Sequence, residues 1–235
     1  MARGQAPGWF GKIAVQGDFA SRRLPPTWVQ VCDDWLSACV AASKEQLGGQ
    51  WQQVYLSAPV WRFAWAPGVI DEQWWFGVLM PSCDNVGRYF PLVVVQSRPV
   101  APSDRIGLDH LDLWWSHTAA AALATLEDSA SVENFEQALE NSPPWPGGGP
   151  VPATLKASPN SPGLWQHTAA AGASLSQLIH GLAAGQFQKQ LADKSFWWPL
   201  NPAGSAHDTA GKEILNVAAG LPPPENFAAM LAGNW

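Results

Sequence analysis

Charge is scarce in this sequence. Asp, Glu, Lys and Arg make 14% of its 235 residues, against roughly 25% in an average domain. The formal balance is −6. That sign is wrong for holding a phosphate backbone, and no basic run exceeds Arg22-Arg23, so no nucleic-acid partner is expected. Long apolar runs are missing as well. The Ala-rich stretch from Thr118 to Leu126 falls short of the ~18 residues a membrane helix needs, so no membrane insertion is expected. Met1 to Pro7 carry one Arg and no apolar core, which does not read as a secretory leader. Cysteine is limited to three residues. Cys32 and Cys39, on one expected helix, would lie ~10 Å apart, beyond disulfide reach. The expected setting is cytoplasmic, with reduced thiols.

Apolar residues make 47% of the chain, enough for a sizeable core. Disorder needs low hydrophobicity and high charge, and is excluded. A coiled coil needs Ala, Glu, Lys, Leu and Arg to dominate, and they do not. Fifteen Trp stand against two Tyr, and 21 Gly with 21 Pro promise many turns.

Trp9 to Val15 is expected as a strand. Gly17-Asp18 marks a turn, and Phe19 to Leu24 a second, edge strand. Pro25-Pro26 suits the first turn of a helix. Trp28, Val31, Cys32, Trp35, Leu36, Cys39, Val40 and Leu47 then recur at helical spacing on one face, and Gly48-Gly49 ends the helix. Three strands follow: Val60–Trp65 alternating, Trp74–Met80 apolar throughout as in a strand covered on both faces, and Tyr89–Gln96. Connections this short favour antiparallel neighbours. Helices are expected over His110–Glu127 and Ser131–Glu140, the latter capped by Ser131. Residues 141–163 are loaded with Pro and Gly. They divide an α/β part, 1–140, from a C-terminal part, 164–235, expected to pack on the first as one compact unit. That part should hold a helix near Ser174–Ala184, segments Phe196–Leu200 and Glu213–Ala219, and a helix near Glu225–Leu231.

Catalytic signatures are sparse. There is no G-x-S-x-G elbow, no G-x-G-x-x-G and no phosphate loop. Ser205, His207 and Asp208 are the right types for a triad, but triads assemble from distant loops, so sequence neighbours are a poor match. His110 and His117 sit two helical turns apart, too far to share one ion as zinc-binding histidines do. No cofactor or metal is expected. The tryptophans are expected mainly in the core. In the pairs Trp114-Trp115 and Trp197-Trp198 the two residues diverge, so one of each is expected to be exposed or to line an interface. Any exposed row would suit a carbohydrate or flat aromatic ligand.

Two clusters concentrate glycine and charge at strand ends. One is Gly11-Lys12, Gly17-Asp18-Phe19 and Arg22-Arg23. The other is Asp84 with Gly87-Arg88-Tyr89 and Pro91. Asp18 and Asp84 are suited to accept turn backbone donors. Arg22, Arg62 and Arg88 are expected to include a partner for one of them.

At these residues the chain resembles the TagF/ImpM family of type VI secretion accessory proteins. The resemblance rests on Gly8-Trp9-Phe10-Gly11-Lys12, Gly17-Asp18-Phe19, Arg23-Leu24-Pro25, Trp61-Arg62-Phe63, Gly77 through Ser82 and Val86 through Leu92. Cys83 and Asn85 depart from the Val and Arg usual in that turn, and Ala14-Val15 from Leu-Pro. The resemblance implies a longin-like (SNARE-like) N-terminal fold with a C-terminal α/β extension. It also implies a cytoplasmic, non-enzymatic, post-translational repressor that binds a forkhead-associated scaffold protein of the secretion machine. Some relatives carry a fused phosphatase domain absent here. Asp18, Arg22, Arg23, Asp84 and Arg88 are the expected partner contacts. Gly11, Gly17, Trp61, Arg62, Gly87, Tyr89 and Pro91 are expected to shape the motif. Nothing in the sequence specifies an oligomeric state. The competing function is a carbohydrate- or aromatic-ligand-binding module, with a hydrolase built on Ser205, His207 and Asp208 a distant third.

Overall fold

The computed structural model describes residues 6–144, 152–159, 161–167, 172–200 and 214–235. In chain order the strands are β1 (Gly8–Gly11), β2 (Ala20–Arg22), β3 (Val60–Trp65), β4 (Trp74–Met80), β5 (Leu92–Arg98), β6 (Lys156–Ala157), β7 (Trp165–Gln166), β8 (Lys194–Leu200) and β9 (Asn216–Ala219). The helices are α1 (Pro26–Leu47), α2 (Trp51–Leu56), α3 (Arg105–Leu123), α4 (Val132–Glu140), α5 (Leu175–Leu191) and α6 (Phe227–Leu231). Seven strands form one sheet in the order β2-β1-β5-β4-β3-β8-β9, and every neighbouring pair is antiparallel. The antiparallel α/β architecture expected from the sequence is the one found.

Side-chain alternation sends each strand's residues to two cores. Trp61, Phe63 and Trp65 of β3 join Trp75, Leu79 and Trp197 beneath α1, α2 and α6. Val60 and Ala64 join Trp74, Phe76 and Val78 beneath α3 and α4. With helices on both faces, β4 is buried at all seven positions, which is why it reads as an unbroken apolar run. Phe63 lies opposite Gly77, and a Cβ on Gly77 would come within 2.5 Å of the Phe63 ring. Segment 194–200 belongs to the same sheet, pairing Phe63 with Trp197 and Trp61 with Pro199.

Helix α1 opens on Pro26, where a missing N–H is harmless. Trp28, Cys32, Trp35, Leu36, Cys39 and Val40 are all buried on one face; Val31, at the stripe's edge, stays exposed.

Several boundaries move for local reasons. β1 ends at Gly11 rather than Val15, because Lys12 turns inward to an acid on a neighbouring loop. β5 starts at Leu92 rather than Tyr89, since Tyr89 bridges instead to Cys83 across the loop. α3 begins at Arg105, five residues earlier than expected, capped by the Asp104 carboxylate accepting from Gly107 N. The helix Trp51–Leu56 and the small β6–β7 pair have no counterpart in the sequence reading.

The expectation that one member of each tryptophan pair is exposed or lines an interface is corrected for the first pair. Trp114 and Trp115 are both buried, because α3 is wedged between the sheet and α4. Trp74 and Trp75 are both buried as well, one on each covered face of β4. Trp197 is buried and Trp198 half-buried. Among the described tryptophans only Trp165 is exposed, so they form no exposed row.

Ser131 caps α4 as expected, its side chain accepting from Asn134 N at 3.0 Å. Ser131→Ala is expected to cost about 1 kcal/mol, read as a drop in melting midpoint of about 2–4 °C. An unchanged midpoint would mean that the cap is idle.

Candidate partner-binding site

β1 and β4 run in the same direction, since each pairs antiparallel with β5. The loops that leave them, residues 12–19 and 81–91, therefore meet at one end of the sheet. Their junction is an ion cluster. Asp84 Oδ2 accepts from Lys12 Nζ at 2.6 Å and from Arg88 Nε at 2.6 Å. Asp84 Oδ1 accepts from the backbone N–H of Val86 and Arg88, at 3.1 and 2.8 Å. This holds the turn through Gly87, whose φ of 79° favours a residue without Cβ. Arg88 Nη2 reaches across to the Gly17 carbonyl, and Asn85 N donates to the Gln16 carbonyl at 3.2 Å. The two loops are thus tied by side chain and backbone together.

Behind the cluster, Ser82 Oγ donates to the Lys12 carbonyl at 2.8 Å. The Tyr55 hydroxyl of α2 donates to the Ser82 carbonyl and accepts from Ser82 N, each at 3.0 Å. Gly11 and Pro91 touch so closely that a Cβ on Gly11 would lie 2.1 Å from the Pro91 carbonyl oxygen. Tyr89 packs on Trp51 and Tyr55. Trp61 donates to the Met230 carbonyl on the far core side. These motif residues are structural braces.

Lys12 and Asp84 are both buried. Burial alone would raise the Asp84 carboxyl. Hydrogen bonds from Lys12, from the backbone and side chain of Arg88 and from Val86 N instead hold it well below the usual carboxylate range. Asp84 is therefore an internal anchor with no surface to offer a partner. The exposed groups around it are Asp18, Phe19, Asn85, Val86 and Arg88. Val86 is 68% exposed at the tip of its turn. Phe19 is 46% exposed, with one face against Phe90 and the Lys12 ammonium over its ring.

The expected pairing of an arginine with Asp18 or Asp84 is met by Arg88. The other two arginines pair elsewhere. Arg22 and Arg23 converge on Glu136 of α4, at 3.6 and 2.6 Å, and the same carboxylate accepts from Trp9 Nε1 at 2.7 Å. Arg23 also donates to the Pro7 carbonyl at 2.8 Å. This second cluster clamps the edge strand to α4 and is separate from the Asp84 cluster. Arg62 pairs with Asp112 of α3 at 2.8 Å.

Tyr55 and Glu136 were not among the expected site residues, and Lys12, though part of the first cluster, was not among the expected contacts. Lys12 carries a further signal, a lone cation between Gly11 and Ile13. Glu136 carries none, since it looks like any acid on the polar side of an amphipathic helix.

The described cysteines show no sign of activation. Burial pushes the Cys32 thiol up, and that of Cys39 up to about 12, the behaviour of inert core cysteines. His117 Nε2 lies 2.8 Å from the Ala138 carbonyl. Among the described residues no group of three potential ligands could hold a metal, and no helix is long and apolar enough to cross a membrane. Ser205, His207 and Asp208 lie outside the described residues.

The described residues thus form an antiparallel sheet flanked by helices, with two loops locked together at one end. Residues 8–142 match the TagF N-terminal domain family, type VI secretion system-associated. The chain belongs to that family, and its association is with type VI secretion. It also resembles a solved structure, PA0076 from Pseudomonas aeruginosa PAO1, at 38% identity and a TM-score of 0.73; the match covers 97% of this chain and 94% of that one. No curated protein matches the chain.

Proposed function

We propose that this protein is a non-enzymatic, post-translational repressor of type VI secretion. It acts by binding a cytoplasmic forkhead-associated scaffold protein through the loop end of its sheet. The observation that carries this reading is the Lys12–Asp84–Arg88 tie. It locks two loops together while leaving Asp18, Phe19, Asn85, Val86 and Arg88 exposed. A surface held this way loses little ordering entropy on docking. Phe19 and Val86 offer apolar contact, and Asp18 and Arg88 offer charges of both signs around it. Family membership supplies the context of the secretion machine.

The test uses positions whose side chains brace nothing inside. Val86→Glu and Asp18→Lys are expected to keep the wild-type melting midpoint. Each should weaken scaffold binding about tenfold or more, as loss of a contact at the centre of an interface does. The same variants should raise secretion in cells. Full-strength binding by both would move the interface off this end of the sheet. A wild-type chain that fails to bind the purified scaffold would overturn the choice of partner.

A further inference from the structure

The seven-stranded sheet has two edges, and they are unlike. The β2 edge is three residues long and runs into Arg22 and Arg23, whose side chains cross to Glu136 of α4. Charge on an edge strand keeps it from pairing with another chain. The opposite edge, β9, has no such guard. Residues 215–219 read Leu-Asn-Val-Ala-Ala, with no charge and no proline. Lys194 lies opposite Ala219, but it turns its ammonium back to the Gln190 carbonyl at 2.6 Å.

The ladder fixes which way the β9 backbone points. Gly220 N donates to the Asp193 carbonyl at 2.7 Å, and the register carries this pairing on to Ser195–Ala218 and Trp197–Asn216. Hydrogen-bonded pairs alternate with non-bonded ones in an antiparallel ladder. Asn216 and Ala218 therefore bond inward to β8, while Val217 and Ala219 turn their N–H and C=O groups outward. Among the described residues no further strand or loop backbone meets these outward groups. The side chains alternate in the same way. Val217 lies opposite Phe196, and Leu215 and Ala219 share its face. Leu215 is 57% exposed and Val217 51% exposed, and Ala219 is exposed as well. An apolar row thus runs along an open edge.

We propose that β9 is a dimer interface, in which a second copy of this chain adds its own β9 antiparallel about a two-fold axis and the two sheets become one. An axis normal to the sheet sets one residue opposite itself. At Val217 it pairs Val217 with Val217 of the second copy, and Leu215 with Ala219. A large side chain then meets a small one, and each apolar row covers the other. An axis at Ala218 would drop Leu215 from the ladder, because Gly220, at φ 68°, ends the strand. The occupant is a second copy for two reasons. The strand is uncharged, so two chains of formal charge −6 meet here without like charges face to face. Joining the two β9 edges also leaves a guarded β2 at either end, so the assembly closes at two. This edge lies across the sheet from β1 and its loop, and the dimer stands independently of the scaffold reading.

The experiment follows the mass of the full chain by analytical ultracentrifugation as its concentration rises. The wild type is expected to pass from monomer to dimer in the micromolar range, as suits a small interface. Val217→Lys sets two ammonium groups opposite one another from an exposed position. It should weaken the dimer about tenfold or more and leave the melting midpoint of the dilute protein unchanged. Val217→Cys should cross-link under mild oxidation, since hydrogen-bonded partners stand ~5.5 Å apart at Cα, within disulfide reach. Ala219→Cys should not, because in this register its two copies lie on the order of 14 Å apart. The wild type, with Cys32 and Cys39 buried, is the control for both. A wild type that stays monomeric would overturn the proposal and leave the edge to a strand of another protein. A dimer indifferent to Val217→Lys, or cross-linking at Ala219→Cys equal to that at Val217→Cys, would overturn it too.

Discussion

Lys12→Met is expected to lower the melting midpoint by on the order of 10 °C, because it leaves the buried Asp84 carboxylate with one cation fewer. Lys12 and Arg88 share a single Asp84 oxygen. Arg88 alone, half in solvent, cannot compensate for an ammonium lost from the interior. The same cluster should govern acid stability. The Asp84 carboxyl lies below its ordinary value of 3.8 in the folded protein, so its contribution is in full force above that value. It is lost as pH falls from about 4 toward the lower folded value. Urea unfolding between pH 7 and pH 2.5 should therefore show an acid slope in the wild type and a flatter profile in Asp84→Asn, whose side chain does not titrate. Identical slopes in the two proteins would mean that Asp84 does not carry the acid response. The charge ties of Arg22 and Arg23 to Glu136 are partly exposed and should contribute less.

Gly11→Ala is the second large effect. The position has φ +132°, a conformation L side chains rarely adopt, and the new methyl would lie 2.1 Å from the Pro91 carbonyl oxygen. Backbone strain adds about 1–3 kcal/mol, and forced separation of β1 from the start of β5 a similar amount. The expected loss is about 2–6 kcal/mol, measured by urea denaturation. Because β1 and the loop at Pro91 would part, the variant should also lose protection from hydrogen exchange at Val93 and Val95 before the rest of the sheet. A Gly11→Ala protein with wild-type stability would show that the close approach is relaxed in solution.

The sheet was legible because its signals are local. Alternation in Val60–Trp65, the unbroken apolar run Trp74–Met80 and the proline-opened stripe from Trp28 to Val40 each state a periodicity, and burial follows periodicity directly. The six residues Trp51–Leu56 were missed because so short a helix has no room for a repeat. It is held by packing of Trp51 and Tyr55 against Tyr89 rather than by its own pattern. The pair Trp114-Trp115 misled for a related reason. Adjacent residues diverge, but both are buried wherever an element is covered on two sides, and coverage is a property of the layers.

The candidate site was legible in part. Glycine and charge clustered at strand ends pointed to the two loops, and the family motifs lie on them. Partner choice within that cluster was not legible. Arg22, Arg62 and Arg88 look alike in sequence, yet they end on Glu136, Asp112 and Asp84 respectively.

By itself the sequence determined the elements, their antiparallel relation, the apolar faces of α1 and the central strands, and the two loops that carry the family motif. These follow from spacing along the chain, where each residue's neighbours are set by covalent geometry. Only the tertiary structure decided that Asp84 is an interior anchor and not a surface contact, and that Lys12 is its principal partner. It also decided that β8 joins β3 across the Pro/Gly-rich stretch, and that β9 ends the sheet as an uncharged edge. Each of these depends on which distant residues share a dielectric and a distance. Lys12 and Asp84 stand 72 positions apart, and a separation that long is bridged only by the packed sheet.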